Sequence, residues 1–282
     1  MGIKSIYENK YKQLLIIPAA MLIIALLSLG VHFHQTGEFV EKGISLKGGT
    51  SISILTDLTT QEIIEAVTYE GEMNARTLSS AGKPVGVIME VDATEPKMVQ
   101  DLTAQIKSAG INENNINTET IGSTLGESFF KETVRAIIIA FIFMALVVFA
   151  YFRTFIPSIA VIGAAVSDII ITLAITNWMG MKLSTGGIAA FLMLIGYSVD
   201  TDILLSAKMI KNKVGHVTDR VYEAMRTGLT MTFTTMVAIS VALIFSQSEV
   251  ITQIMTVLII GLLVDLVNTW IQNVAILRWY LE

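Results

Sequence analysis

Four aspartates interrupt stretches of chain that are otherwise apolar: Asp168, Asp200, Asp202 and Asp265. A carboxylate carried to the centre of a bilayer costs about 2.5–3.5 kcal/mol on insertion scales, so each one needs a partner, water or a proton. A buried carboxyl group that alternates between charged and neutral forms is a candidate proton carrier. Asp168 and Asp265 fall mid-way along their runs, too deep to snorkel. Asp200 and Asp202 lie nearer one end, where pairing with Lys208 or Arg226 at an interface is the plainer reading. Residues two apart on a helix differ by about 200°, so Asp200 and Asp202 cannot both face the same neighbour. Gly196 shares a face with Asp200. Arg226 adds a basic group that could help a nearby Asp release its proton.

Helices long enough to cross a membrane must position these groups. Apolar residues make up 53% of the 282 residues and charged residues only 15%. A soluble protein averages about 45–50% and 25% on these classes. The apolar residues come in runs: Gln13 to Gly37 and Ala136 to Phe152 contain no Asp, Glu, Lys or Arg. A hydrocarbon core of about 30 Å needs about 20 apolar helical residues. The pattern predicts spans at about 14–32, 134–152, 156–178, 185–207, 228–247 and 251–277, with Pro157 tolerated in a first turn. The first run is too long for a signal-peptide core and Ser28-Leu29-Gly30-Val31-His32 is a poor cleavage site, so it reads as an anchor.

Basic residues orient the spans. Lys4, Lys10, Lys12, Arg153, Lys208, Lys211, Lys213, Arg220, Arg226 and Arg278 all fall on one side, whereas the short loops opposite carry only Lys182. The positive-inside rule places both termini, including residues 1–13, in the cytoplasm of a cell-membrane protein. The long insertion at 33–132 is then outside, followed by a five-helix domain over 133–282.

That insertion is acidic, with 15 Asp and Glu against 7 Lys and Arg from Glu38 to Glu132. Thr50 to Leu55 alternates polar and apolar, the period of a strand. Thr59-Thr60-Gln61-Glu62 is a capping box opening a helix through about Tyr69. Met73 to Leu78 and Val85 to Asp92 read as strands joined by a turn at Ser79 to Pro84. Thr94-Glu95-Pro96 opens a second helix that Gly110 ends, and Ile116 to Ile121 alternates again. The order β-α-β-β-α-β is a split βαβ of the ferredoxin-like kind, so the fold class is a six-helix membrane protein with an inserted α+β domain.

Other chemistries are excluded. Cysteine is absent, which removes disulfides and thiolate metal sites. No phosphate-binding loop occurs, so ATP is not a direct energy source and no cofactor is implied. A net charge of −5 argues against nucleic acid as partner.

Several segments resemble the SecF family. Gly196-Tyr197-Ser198-Val199-Asp200-Thr201-Asp202 is similar to its fourth-helix Gly-Tyr-Ser-(Leu/Ile/Val)-Asn-Asp-(Ser/Thr). Ser167-Asp168-Ile169-Ile170-Ile171-Thr172-Leu173 resembles its third-helix signature. Gly43-Ile44-Ser45-Leu46-Lys47-Gly48-Gly49-Thr50 resembles the Gly-Ile-Asp-Phe-x-Gly-Gly-Thr after the first helix, and Gly122-Ser123-Thr124-Leu125-Gly126-Glu127 the segment before the second. The resemblance implies an auxiliary subunit of protein export in the resistance-nodulation-division superfamily, of the archaeal branch. It implies pairing with a SecD-like chain, a SecY-type channel and exported polypeptides in a lipid membrane, with the proton-motive force as the energy source. This sequence departs from the common pattern. Ser45 replaces an Asp, Asp200 and Asp202 flank the family's Asp position, Asp265 replaces a small residue, and Arg226 lies near the family's fifth-helix Arg without occupying its position.

Three further readings stay open at this point, one of them a structural scaffold with no energy coupling, against which the deep Asp168 argues. A small-molecule or lipid exporter of the superfamily usually carries two copies of the domain-plus-six-helix unit, and this chain has one. An intramembrane aspartyl protease would use paired carboxylates, but Gly-Tyr-Ser-Val-Asp200 and Gly-Leu-Leu-Val-Asp265 lack its Gly-x-Gly-Asp. No enzymatic activity is expected.

Overall fold

The computed structural model describes residues 10–80, 83–211, 216–246 and 248–281. Lys4 and Lys213 of the charge pattern, Ala81-Gly82 of the predicted turn, and Gln247 at the predicted end of the fifth span lie outside them. Among the described residues six helices are long and apolar enough to cross a membrane. The first is Tyr11–Leu14 (α1) running into Ile16–Thr36 (α2), and the second is Ser123–Phe152 (α6). Phe155–Trp178 (α7), Thr185–Ile210 (α8) and Val217–Phe245 (α9) follow. The last runs from Glu249–Val267 (α10) through a π-helical turn at Asn268–Asn273 into Val274–Leu281 (α11).

Two helices begin about eleven residues before the predicted spans. α6 starts at Ser123, inside the segment 33–132 assigned to the domain, and α9 starts at Val217 rather than near 228. Hydropathy registers only the apolar part of a helix. The polar first turns of α6 are helical as well, with Lys131 and Glu127 paired at 2.8 Å four residues apart. Those of α9 bury Val221 and Ala224 against Leu205, Met209, Trp270 and Leu277.

Between α2 and α6 lies a four-stranded antiparallel sheet in the order β2-β3-β1-β4. Its elements are a short helix Ile44–Lys47 (α3), β1 Gly49–Leu55, α4 Thr60–Ala66, β2 Met73–Ser80, β3 Lys83–Val91, α5 Pro96–Ser108, a 3-10 turn Glu113–Asn115 and β4 Ile116–Ile121. The central pair registers Ile52 against Met89 and Ile54 against Val87. These side chains pack under Ile63 of α4 and Leu102 and Ile106 of α5, giving the domain its own core. The predicted capping box is present: Thr59 Oγ1 accepts from Glu62 N–H, and Glu62 accepts from Thr59 N–H at 2.7 Å. α4 ends at Ala66, three residues short of Tyr69, because Val67 turns to an extended conformation and the Tyr69 hydroxyl donates to Asp92.

Gly48 and Gly49 sit where the chain enters β1, with φ of +89° and +131°. A Cβ on Gly48 would lie 2.4 Å from Ser123 Cα, and one on Gly126 would lie 2.7 Å from Gly48 N. Both the positive φ and the close approach of α6 require glycine there.

The bundle is centred on α7 and α8, with α10 against both, whereas α6 is buried only at Gly126, Val148 and Phe152. Arg278 stacks over the Tyr11 ring at 4.1 Å, and Lys211 over Tyr151 at 3.5 Å. The first of these contacts brings α1 and α11 together at one end of the bundle.

Candidate functional site in the membrane helices

Asp168, Asp202 and Asp265 come from three different helices and are each 0% exposed. Small residues let those helices meet. A Cβ on Gly261 of α10 would lie 2.4 Å from Leu194 of α8, and Ala164 and Ala165 of α7 are buried in the interior. Such close approach is the usual route to tight packing between membrane helices.

Asp168 on α7 accepts from Ser198 Oγ–H of α8 at 2.5 Å and from Asn268 Nδ2–H of the π-helical turn at 2.7 Å. Asp202 on α8 accepts from Asn273 Nδ2–H at 2.7 Å. Asp265 accepts from Thr269 Oγ1–H at 3.0 Å, one turn along its own helix. The three carboxyl groups are near enough to one another to interact electrostatically. Among the described residues no Lys, Arg or His forms an ion pair with any of them. Nor does any group of three or more His, Asp or Glu converge there as a metal site.

The hydrogen-bond count is unbalanced. Asp202 Oδ2, Asp265 Oδ2, Asn268 Oδ1 and Asn273 Oδ1 are buried acceptors without a donor, and the hydroxyls of Thr172 and Ser206 are also unpartnered. A buried polar atom left unpaired costs about 1–3 kcal/mol. A cluster with surplus acceptors gains by taking up protons or another cation, and its carboxyls are the groups that can hold one.

The other residues expected from the sequence lie elsewhere. Asp200 is exposed on the far side of α8 from Asp202, together with Gly196 and Tyr197. The interfacial reading of Asp202 is corrected: it is fully buried, and Lys208 pairs with Glu223 of α9 instead, at 2.5 Å. Arg226 is exposed on α9 and makes no ion pair to any of the buried carboxylates, because α9 turns Val221, Ala224, Gly228 and Thr232 inward. Gly48 and Gly49 belong to the domain junction, whereas Ser198 of the same family pattern touches Asp168 directly. Asn268 and Asn273 stand five residues apart on the last helix. Their five-residue spacing gives no helical face in common, and only the π-helical turn brings both to the site.

These features define a multi-pass membrane protein with an inserted sheet domain and a buried polar cluster shared by three helices. The family profile described as protein export membrane protein SecD/SecF, C-terminal, matches residues 101–282. The chain is 37% identical to the protein-export membrane protein SecF of Pyrococcus furiosus, across 99% of this chain and 94% of that one. It is 39% identical to SecF of Methanothermobacter thermautotrophicus, across 97% and 94%. The fold is similar to the crystal structure of SecDF from Thermus thermophilus, with a TM-score of 0.75 at 19% identity over 97% of this chain. It spans only 39% of that longer SecDF chain. The chain belongs to the SecD/SecF family of protein-export membrane proteins.

Proposed function

We propose that this chain is the SecF-type auxiliary subunit of Sec protein export, acting beside a SecD-like chain and a SecY-type channel to help move exported polypeptides across the cell membrane. Asp168, Asp202 and Asp265 carry the coupling protons. The observation that carries this reading is the surplus of buried acceptors around three carboxylates that have no cationic partner among the described residues. Family membership and near-full coverage of archaeal SecF chains support the export role. Both termini lie in the cytoplasm, in keeping with the basic residues at that end of the bundle, and the sheet domain lies outside. The strand order, with two helices covering one face, fits a ferredoxin-like split βαβ.

The partner chain covers the α8–α9 side. Gly196, Tyr197 and Asp200 of α8 are exposed, as are Thr227, Thr230 and Thr234 of α9, whose hydroxyls donate to carbonyls of their own helix. Polar groups at membrane depth call for a protein neighbour rather than lipid. The test is secretion of a reporter protein in cells carrying Asp168→Asn, with membrane abundance and co-purifying partners followed in parallel. Loss of secretion at normal abundance, with a SecD-like chain still captured, is expected. Undiminished secretion by an Asp168→Asn, Asp265→Asn double variant leaves a scaffold without ion coupling.

A further inference from the structure

The outer domain is tied to the bundle by more than its two chain connections. Leu183 N–H donates to Glu41 O at 2.7 Å and Gly43 N–H to Leu183 O at 2.8 Å, so the strand-like entry to the domain pairs with the α7–α8 loop. Ser45 Oγ accepts from Thr185 N–H at 3.0 Å, at the first residue of α8. Lys182 Nζ lies 3.0 Å from Glu90 Oε2 on β3, and Glu90 Oε1 lies 3.3 Å from Arg76 on β2. Arg76 also pairs with Glu249, the first residue of α10, and Gln253 of α10 donates to Lys182 O at 2.6 Å. Two cations and two carboxylates thus close a knot, with Glu90 only 9% exposed. Removing Lys182 or Arg76 strands the Glu90 carboxylate, the one member that little water reaches.

The grip is selective. It holds the outer ends of α8 and α10, the helices that carry Asp202 and Asp265. The outer end of α7, which carries Asp168, is joined to α2 by the bond from Trp178 to Ser28 and meets the grip only through its loop, where Met181 N–H donates to Thr176 O at 3.1 Å. The hydrogen bonds of Asp168 to Ser198 and Asn268 cross the boundary between these two groups of helices. A proton arriving at or leaving Asp168 therefore changes bonds that cross that boundary. We infer that Ser45, Glu90 and Lys182 are positioning residues of a rigid joint, through which the outer domain moves with α8 and α10 when the charge at Asp168 changes. The inference rests on the ion-coupled reading above. It assigns a task to Lys182 and to Ser45, which stands where the family commonly has Asp.

The absence of native cysteine allows clean labelling. One spin-label pair, at Phe155→Cys and Lys211→Cys, reports α7 against α8. A second, at Phe155→Cys and Lys97→Cys, reports α7 against the domain. Distances are measured in the full chain with its co-purified partner in lipid nanodiscs, at pH 5 and pH 8. With the joint intact, both distances shift with pH. With Ser45→Ala and Lys182→Ala combined, the α7–α8 shift persists and the domain shift is lost, while Ser45→Asp, which keeps an acceptor for Thr185 N–H, retains both. A domain shift that survives the double alanine variant overturns the joint and leaves the ion-coupled reading standing. Absence of both shifts in the intact protein overturns that reading and the joint with it.

Discussion

Asn268 and Asn273 stand five residues apart on one helix, yet each donates to a carboxylate on a different neighbour, Asp168 on α7 and Asp202 on α8. In a regular α-helix they would point about 140° apart. The π-helical turn between them widens the helix locally and turns both amides to the same polar interior.

In that arrangement Asn273 Nδ2–H donates to Asp202 Oδ1, while Asp202 Oδ2 has no partner among the described residues. Asn273→Leu removes that bond from a fully buried carboxyl group. Thermal unfolding of the purified protein is expected to show a loss of about 1–3 kcal/mol. Deleting Ile271, which restores regular helical spacing across the turn, is expected to cost more than Asn273→Leu alone. The reverse order would show that the turn does not hold the amides.

Among the carboxylates the structure sets a ranking. Asp202→Asn is expected to be severe in a secretion assay and Asp200→Asn mild, because only Asp202 enters the buried cluster. Arg226→Ala is expected to be mild as well, since its side chain is exposed on α9. A severe Arg226→Ala variant with normal partner capture would place an essential cation outside the cluster.

Gly126→Leu should separate α6 from the start of the domain. Its Cβ alone would come within 2.7 Å of Gly48 N, a backbone position with φ +89° that has no room for a side chain beside Ser123. Gly48→Ala forces a side chain into the same left-handed backbone, at a cost on the order of 1–3 kcal/mol. Limited proteolysis between 37 and 50 is the measurement, with faster cleavage expected for both variants.

The domain should also respond to acid through α4. Hydrogen bonds from the Thr59 backbone N–H and then its hydroxyl hold the Glu62 carboxyl below the usual carboxylate range. The folded value is depressed, so the stabilisation is present above the ordinary range and is lost as pH falls through the folded value. Amide exchange at Gln61 to Ile63, compared between pH 7 and pH 3, should accelerate at the lower pH beyond the intrinsic trend. In Glu62→Gln, which keeps an acceptor without the charge, that acceleration should be smaller. Equal acceleration in both proteins would remove the carboxylate from the cap.

The sequence by itself determined the six long apolar helices, the order of strands and helices in the insertion, and the mid-helix positions of Asp168 and Asp265. Each of those follows from a local period or a run length: twenty apolar residues match a bilayer, and alternation matches a pleated strand. The opposite facing of Asp200 and Asp202 was also legible, from the 100° step between helical residues. Which of the two turns inward was not legible, because both faces of α8 are apolar and only the neighbouring helices define an interior. The tertiary structure alone gave Asn268 and Asn273 their partners, because a π-helical turn departs from the spacing that sequence periodicity assumes. It alone separated Arg226 from the carboxylates, since an exposed Arg and an inward one look the same in a string of residues. It alone placed Lys182 beside Glu90, 92 positions away in the chain. Local patterns encode elements; contacts between residues far apart in sequence exist only once those elements have packed.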